Sequence, residues 1–437
     1  MVKIPRWGTY LPETKEKTSG KLIEDASLSS EVVISLCQHI GAPCNPLVEK
    51  GDRVLVGQKI GDTEAFCSAP VHASVSGEVI AVEPRPHFTG GCLLSVVIAA
   101  DGKQENVEFA GVSGKLTPQK VRCAVREAGL VGLGGAAFPT HVKLCPPEGK
   151  SIDSVIINGC ECEPFITCDH RNMLEKADLL LDGLRIIMAT VEAEKGYIGI
   201  EMNKLDVIRK VEELVAGEEN IKVVRLDTKY PHGAEKQLIK AVLEREVPSG
   251  GLPMDVGALV HNAGTTIAIS EAVREGKPLT ERVLTVTGPG VKNPKNLRVK
   301  IGTPIGHLIE GCGGFEGEPG KVIMGGPMTG FAQFSLDVPV VKGTSGVVLF
   351  PRDQVEITPH GPCFRCGRCI RACPVFLVPN FIGLYVERDM IDKAEVYSVM
   401  DCIECGLCAY VCPARRPLVQ YMKYAKGKIM ARRKKTS

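Results

Sequence analysis

The sequence predicts a multidomain α/β protein: a small all-β module, then an α/β core, then a mostly β unit, then a cysteine-rich domain. Three observations carry this. At 437 residues the chain is long enough for about three domains of roughly 150 residues. Runs that read as strands alternate with helical periodicity over the stretch 115–250. Eight of the 18 cysteines fall into one spacing that occurs twice.

Hydrophobic residues at 44% and charged residues at 24% are those of a globular chain, which excludes global disorder. The longest apolar stretch, Ala177 to Val191, is broken by Asp178, Asp182 and Arg185. It falls short of the roughly 18 clean residues of a membrane span, so no transmembrane helix is expected. Met1 to Gly20 carries Lys, Glu, Pro5 and Pro12 without the apolar centre of a signal sequence, which points to the cytosol. In that compartment regularly spaced cysteines are metal ligands or catalytic thiols more often than disulfides.

Residues 1–29 read as an N-terminal segment. From 30 to 105, Val54-Leu55-Val56-Gly57 and Val75-Ser76-Gly77-Glu78-Val79 alternate β-type runs with Gly turns. This pattern resembles the biotinyl/lipoyl-type barrel-sandwich hybrid. No Lys occurs between Lys59 and Lys103, so a swinging cofactor arm is not expected and a structural docking module is. Thr117-Pro118 starts a helix, with Thr as N-cap and Pro at the first position. A Gly-rich loop follows. Ser154 to Ile157, Tyr197 to Ile200 and Val223 to Leu226 read as strands, Ala177 to Val191 and Leu205 to Val215 as helices. Gly250-Gly251 marks a boundary, and 251–350 is expected to be mostly β, beginning with Val283 to Thr287.

The cysteine domain is expected over 355–415. Cys363, Cys366, Cys369 and Cys373, followed by Pro374, form C-x2-C-x2-C-x3-C-P, and Cys402, Cys405, Cys408 and Cys412, followed by Pro413, repeat it 39 residues later. Three thiolates at this spacing wrap one side of an iron-sulfur cubane, and the fourth ligates the other cluster. The assignment is therefore Cys363, Cys366, Cys369 and Cys412 to one [4Fe-4S] centre, and Cys402, Cys405, Cys408 and Cys373 to the second. Gly367 and Gly406 sit at equivalent places and permit tight turns that aim N–H groups at sulfur. Structural zinc is the competing occupant of paired C-x2-C elements. The other ten cysteines are expected to be small buried hydrophobes.

Two further segments carry chemistry. Gly132-Leu133-Gly134-Gly135-Ala136-Ala137-Phe138-Pro139-Thr140 follows a helix, so the dinucleotide fingerprint in its strand context does not apply. Its glycines allow backbone donors to approach a flat or anionic ligand, and Lys143 adds a cation; a tight packing turn is the competing reading. Asn158-Gly159-Cys160-Glu161-Cys162-Glu163-Pro164 ends a predicted strand. Ligands collect at such ends, and acids with an amide there can bind ribose hydroxyls or a carboxamide. A solvated turn is the alternative.

These segments, with Tyr230-Pro231-His232-Gly233-Ala234-Glu235-Lys236 and Val260-His261-Asn262-Ala263-Gly264-Thr265, occur in the order seen in the RnfC subunits of Rnf complexes. They also resemble the NADH-binding flavoprotein subunit of respiratory complex I. The resemblance spans nearly the whole chain. It implies a barrel-sandwich hybrid, a Rossmann-like flavin/NADH core, a soluble-ligand-binding β-grasp (SLBB) unit and a two-cluster ferredoxin-like α-helical domain. It further implies FMN held by Gly132, Gly134, Gly135, Lys143, Asn158 and Asn262, with Phe138, Glu161 and Glu163 facing NADH, and Tyr230 and Glu235 lining the pocket. Cys160 departs from the Asp of the complex I proteins, and Trp7 to Pro12 from the more usual start.

The implied function is electron exchange between NAD(H), FMN and two [4Fe-4S] clusters, in a ferredoxin:NAD oxidoreductase coupled to Na+ or H+ movement. The flavin matches a two-electron hydride donor to one-electron clusters. The chain would be a peripheral subunit on the cytoplasmic face of the membrane, bound to the other subunits of a membrane-embedded complex and reached by ferredoxin through them. A soluble NADH-dependent flavoprotein, such as a microcompartment cobalamin reductase, is an alternative, although its relatives place the barrel-sandwich module after the core. An electron-carrying adaptor without NADH activity is another. Past Glu404 there is no acid but there are nine cations, from Arg415 to Lys435, eight of them in a basic tail over 416–437. Leu418, Met422, Ala425 and Ile429 recur among them at near-helical spacing, as in a helix facing lipid headgroups or a partner; a solvated, frayed tail is the other reading. Nucleic acid is not expected, since the body is acidic and aromatics are few.

Overall fold

Four parallel strands organise the centre of the chain in the order Ile221–Leu226, Lys195–Glu201, Ser154–Gly159, Ala258–Asn262. This is a computed structural model; it describes residues 7–356 and 359–436, with the side chains of the last two residues left aside. The first six residues of the expected N-terminal segment, two residues early in the expected cysteine domain and the end of the basic tail lie outside the described residues. The strands are Val- and Ile-rich because both faces of the sheet are covered. Val155, Ile157, Ile198 and Ile200 pack beneath the helices Ala177–Val191 and Ala263–Glu275. Ile156, Leu226 and Val260 point the other way, against Leu238, Ile239 and Val242 of the helix Glu235–Leu243. The period of two along each strand decides which residue serves which layer.

The strand order reverses between Ser154–Gly159 and Ala258–Asn262. Such a switch point opens a crevice beyond the carboxyl ends of the strands. Asn158 and Asn262 are register partners at that point. The fourth strand lies past Gly250-Gly251, so the α/β unit runs on through Glu275 and the β unit begins later than the glycine pair implied. The helices Ala177–Val191 and Ala263–Glu275 approach closely because Gly183 has no side chain. A Cβ there would lie 2.1 Å from the Thr266 carbonyl oxygen.

A six-stranded mixed sheet follows, in the order Ile23–Asp25, Lys295–Lys300, Glu281–Thr287, Gly346–Pro351, Pro319–Met324, Phe331–Ala332. Its first strand comes from the N-terminal segment and pairs in parallel with Lys295–Lys300. That segment is thus an edge of this sheet, a placement no local pattern announces. The barrel-sandwich module is built from a four-stranded and a three-stranded sheet closed over Val32, Ile34, Val54, Ile60, Val71 and Ile98.

Short helices, Arg368–Ala372, Pro379–Val386, Ile391–Val396 and Leu407–Tyr410, form the cysteine domain with the long helix Leu418–Thr436. Here the structure corrects the reading of the tail. Leu418, Met422, Ala425 and Ile429 are all buried, and the last three pack on Ile382, Val386, Ile391 and Val399. The apolar stripe is the domain's own core and does not face lipid, and among the described residues the tail is a packed helix that is neither frayed nor merely solvated. Its cations in part pair within the domain, Lys426 with Glu404 at 2.5 Å and Arg433 with Glu395 at 2.7 Å.

Candidate functional site

A cavity of about 530 Å³ opens at the switch point, within the range of cofactor pockets. The glycine loop forms one wall. Gly132 N–H donates to the Phe138 carbonyl at 2.9 Å and Leu133 N–H to Thr265 Oγ1 at 2.9 Å, which closes the loop and leaves Gly134 and Gly135 exposed to the cavity. A Cβ on Gly134 would sit 2.5 Å from Asn262 Nδ2, so glycine is required for the loop to meet the strand end.

Asn262 caps the helix that follows it: its Oδ1 accepts from Thr265 N–H at 3.2 Å while Nδ2 donates to Asp169 Oδ2 at 2.6 Å. Asn158 Nδ2 donates to the Gly233 carbonyl at 2.7 Å, and its Oδ1 accepts from Cys160 N–H at 3.2 Å. Glu161 has a positive φ of 45° and turns its carboxylate onto the N–H groups of Asp169 and His170, at 2.6 and 3.1 Å. Glu163 accepts from Met328 N–H at 3.0 Å and from Thr329 N–H at 2.9 Å, and so pins the Gly325–Gly330 loop of the β unit. Burial pushes the carboxyls of Glu161, Glu163 and Asp169 up, against the hydrogen bonds they accept.

Gly134, Gly135, Asn158, Glu161, Glu163 and Asn262 thus come together around one space. Gly132 lies just behind that wall. Phe138, Lys143, Tyr230 and Glu235 are not among the lining residues. Lys143 donates to Glu235 at 2.8 Å and to the Val260 carbonyl at 2.7 Å, which holds both side chains in an ion pair beside the strand. Tyr230 is buried against Leu407 and donates its O–H to the Cys405 carbonyl at 2.8 Å, so it bridges to the cysteine domain. Asp169 lines the cavity although no motif marks it, and three more unmarked residues, the buried Lys15 and Lys204 and Arg282, brace the surrounding loops from outside the lining. Lys15 Nζ donates to the carbonyls of Glu161 and Ile166 at 2.7 and 2.5 Å, and Lys204 Nζ to the Cys160 carbonyl at 2.6 Å. Arg282 donates to the Lys342 carbonyl at 2.6 Å and the Leu133 carbonyl at 3.3 Å.

The eight repeat cysteines line two small voids. One is ringed by Cys363, Cys366, Cys369 and Cys412, the other by Cys373, Cys402, Cys405 and Cys408. The two loops are built alike. Arg365 (φ 53°) and Glu404 (φ 57°) each donate N–H to the preceding cysteine sulfur at 3.4 Å, and Gly367 (φ 72°) and Gly406 (φ 80°) each precede a short helix. Leu377 N–H donates to Cys373 Sγ at 3.3 Å. Four thiols about a void, with N–H groups aimed at sulfur, suit a cubane held by thiolates. Burial pushes the Cys405 thiol up to about 12, so a thiolate there calls for a positive charge such as a bound metal beside it. Of the other ten cysteines, Cys44, Cys160, Cys168 and Cys312 are buried, whereas Cys92 and Cys123 are exposed.

Four family models match in chain order: the RnfC barrel sandwich hybrid domain over 5–103, the Nuo51 FMN-binding domain over 125–271, the SLBB domain over 283–332 and a 4Fe-4S dicluster domain over 356–413. The chain is 46% identical to the C subunit of the Na(+)-translocating ferredoxin:NAD(+) oxidoreductase complex of Acetobacterium woodii, over 98% of this chain and 97% of that one. It is 47% identical to the proton-translocating counterpart of Clostridium ljungdahlii, over 98% and 94%. It is 39% identical to the C subunit of the ion-translocating oxidoreductase complex of Rhodobacter capsulatus, over 97% and 83%. Among solved structures, an NAD+-reducing [NiFe]-hydrogenase in the H2-reduced state aligns with a TM-score of 0.50 at 17% identity, over 72% of this chain and 61% of that one, a likeness of fold. With an FMN-binding domain and a dicluster domain in one polypeptide, and these relatives along nearly its full length, the chain belongs to the RnfC family, the C subunits of the ion-translocating oxidoreductase complexes.

Proposed function

We propose that this chain is the NADH-side electron-transfer subunit of a membrane-bound ferredoxin:NAD oxidoreductase that drives Na+ or H+ across the membrane. The observation that carries this is the joining of a switch-point cavity to two four-thiol sites in one chain. In this reading FMN lies against Gly134 and Gly135, with Asn158 and Asn262 at the strand ends, and Glu161 and Glu163 face NAD(H). Bound flavin accepts a hydride and releases electrons singly. The chain's residues orient it and keep water from the buried acids; Tyr230 and the Glu163-pinned loop connect the cavity to the cysteine domain.

The structure supports an order for the clusters. Cys405 packs with Cys162, Met328 and Tyr230, and a Cβ on Gly406 would lie 2.7 Å from the Met328 carbonyl oxygen. A cluster held by Cys373, Cys402, Cys405 and Cys408 would therefore stand next to the cavity. The other holds the exposed Cys366, with Arg365, Arg368 and Arg371 exposed around it, as befits the exit to a partner that leads to ferredoxin. In this reading the chain is a peripheral subunit on the cytoplasmic face. Among the described residues no helix is long and apolar enough to cross a membrane.

The test is purification without oxygen, followed by flavin and iron assays and an NADH titration watched in the visible spectrum. Bleaching of flavin and then of the clusters is expected. Colourless protein, or protein holding zinc alone, overturns the reading.

A further inference from the structure

The cavity has a wall that neither the flavin loop nor the acids explain, and it comes from the barrel-sandwich module. The strands Gly77–Pro86 and Cys92–Ala100 form a hairpin, and the turn between them brings His87, Phe88 and Thr89 to the cavity lining. Phe88 meets Phe331 of the β unit edge to face, with ring centroids 5.3 Å apart and planes at 81°, so two flat apolar surfaces form a corner. Both rings are held from behind. The Phe88 carbonyl accepts from Gln333 Nε2 at 3.2 Å, and Lys423 Nζ lies 5.0 Å from the centre of the Phe331 ring. Phe331 closes the loop that Glu163 pins.

His87 is the polar group at this corner. It is 5% exposed, and its Nδ1 lies 2.8 Å from Thr89 Oγ1 and accepts from Thr89 N–H at 3.4 Å. With Nδ1 an acceptor, the assigned tautomer carries its proton on Nε2. That nitrogen makes no hydrogen bond of full geometry, and the Cys37 backbone beside it is the acceptor that a ligand would replace. A ligand that fits here presents a flat face to the rings and a ring nitrogen to the donor.

We propose that the barrel-sandwich module supplies the adenine subsite of the dinucleotide, with Phe88 and Phe331 as its stacking corner and His87 Nε2 as the donor to the adenine edge. This rests on the NAD(H) reading above. It gives the module a ligand-binding role and assigns the dinucleotide's two ends to different domains, the nicotinamide to the flavin side and the adenine to the hairpin.

The experiment compares the full, cofactor-loaded protein with Phe88→Leu, which keeps apolar volume but removes the flat ring, and His87→Ala. NADH and reduced nicotinamide mononucleotide, which lacks the adenylate, serve as donors to ferricyanide, and ADP-ribose binding is followed by calorimetry. Removing one base stack is worth about 1–3 kcal/mol. For Phe88→Leu we therefore expect KM for NADH to rise on the order of tenfold and ADP-ribose to bind more weakly by a similar factor, with flavin content, kcat and mononucleotide kinetics unchanged. Equal losses for both donors, loss of flavin, or unaltered ADP-ribose affinity in both variants overturn the subsite. Wild-type protein whose flavin NADH does not reduce overturns the functional reading itself, a separate outcome.

Discussion

Two buried ammonium groups hold the acidic loop from below. Lys204 and Lys15 donate to carbonyls of the loop and of the residues just after it, and Glu201, only 1% exposed, lies 3.8 Å from Lys204. Burial raises the Glu201 carboxyl to about 7, although both lysines pull it down. The folded state thus binds a proton that the unfolded state has released above about 4.5, so stability falls as pH rises from about 4.5 to about 7. Glu201→Gln is expected to flatten that part of the profile, read from denaturant midpoints across the range; an unchanged slope refutes the assignment. At the glycine loop, Gly134→Ala pushes a methyl group against Asn262. Retained flavin per protein is expected to drop roughly tenfold, equivalent to about 1.4 kcal/mol of binding, with iron content unaltered. Neither lysine was marked by any motif, because a lone Lys acquires its meaning when folding brings carbonyls to it.

At the scale of elements, local signals were legible where they are self-contained. Thr117 caps Pro118–Glu127, its side chain accepting from Lys120 N–H at 3.4 Å, and the helix Ala177–Val191 runs between its expected ends. The C-terminal helix teaches the opposite lesson. Its apolar spacing was plain in the sequence, but spacing alone does not name the surface it meets, and the partner is the core of its own domain. Met422→Ala is expected to cost about 2–5 kcal/mol of cluster-domain stability, seen as earlier loss of cluster absorbance in denaturant. Sedimentation with anionic vesicles should not change. A variant that stays stable but loses vesicle binding would restore the lipid-facing stripe.

Across the whole molecule, the two cluster sites occupy different surroundings, one against the cavity and one open to solvent. Cys405→Ser and Cys366→Ser therefore separate them. In both, NADH is expected to bleach the flavin. In Cys366→Ser the inner cluster remains reducible by NADH, whereas in Cys405→Ser the outer cluster is reduced far more slowly, because its neighbour on the path is missing; electron paramagnetic resonance after rapid freezing reads this. Equal rates in the two variants would contradict the order.

The sequence by itself sorted eight cysteines into two sets of four with exchanged fourth members, because the spacing of a doubled motif is a local pattern, and the same two sets line the two voids. It also determined the strand-end asparagine and the glycine loop as separate pieces of chemistry. Tertiary structure alone decided that Asn158 and Asn262 face one another, that Lys143 and Glu235 pair away from the cavity, and that a distant hairpin provides its outer wall. These depend on strand order and on packing between domains. No window of residues records such long-range neighbours, because they exist only once the apolar faces have chosen their partners.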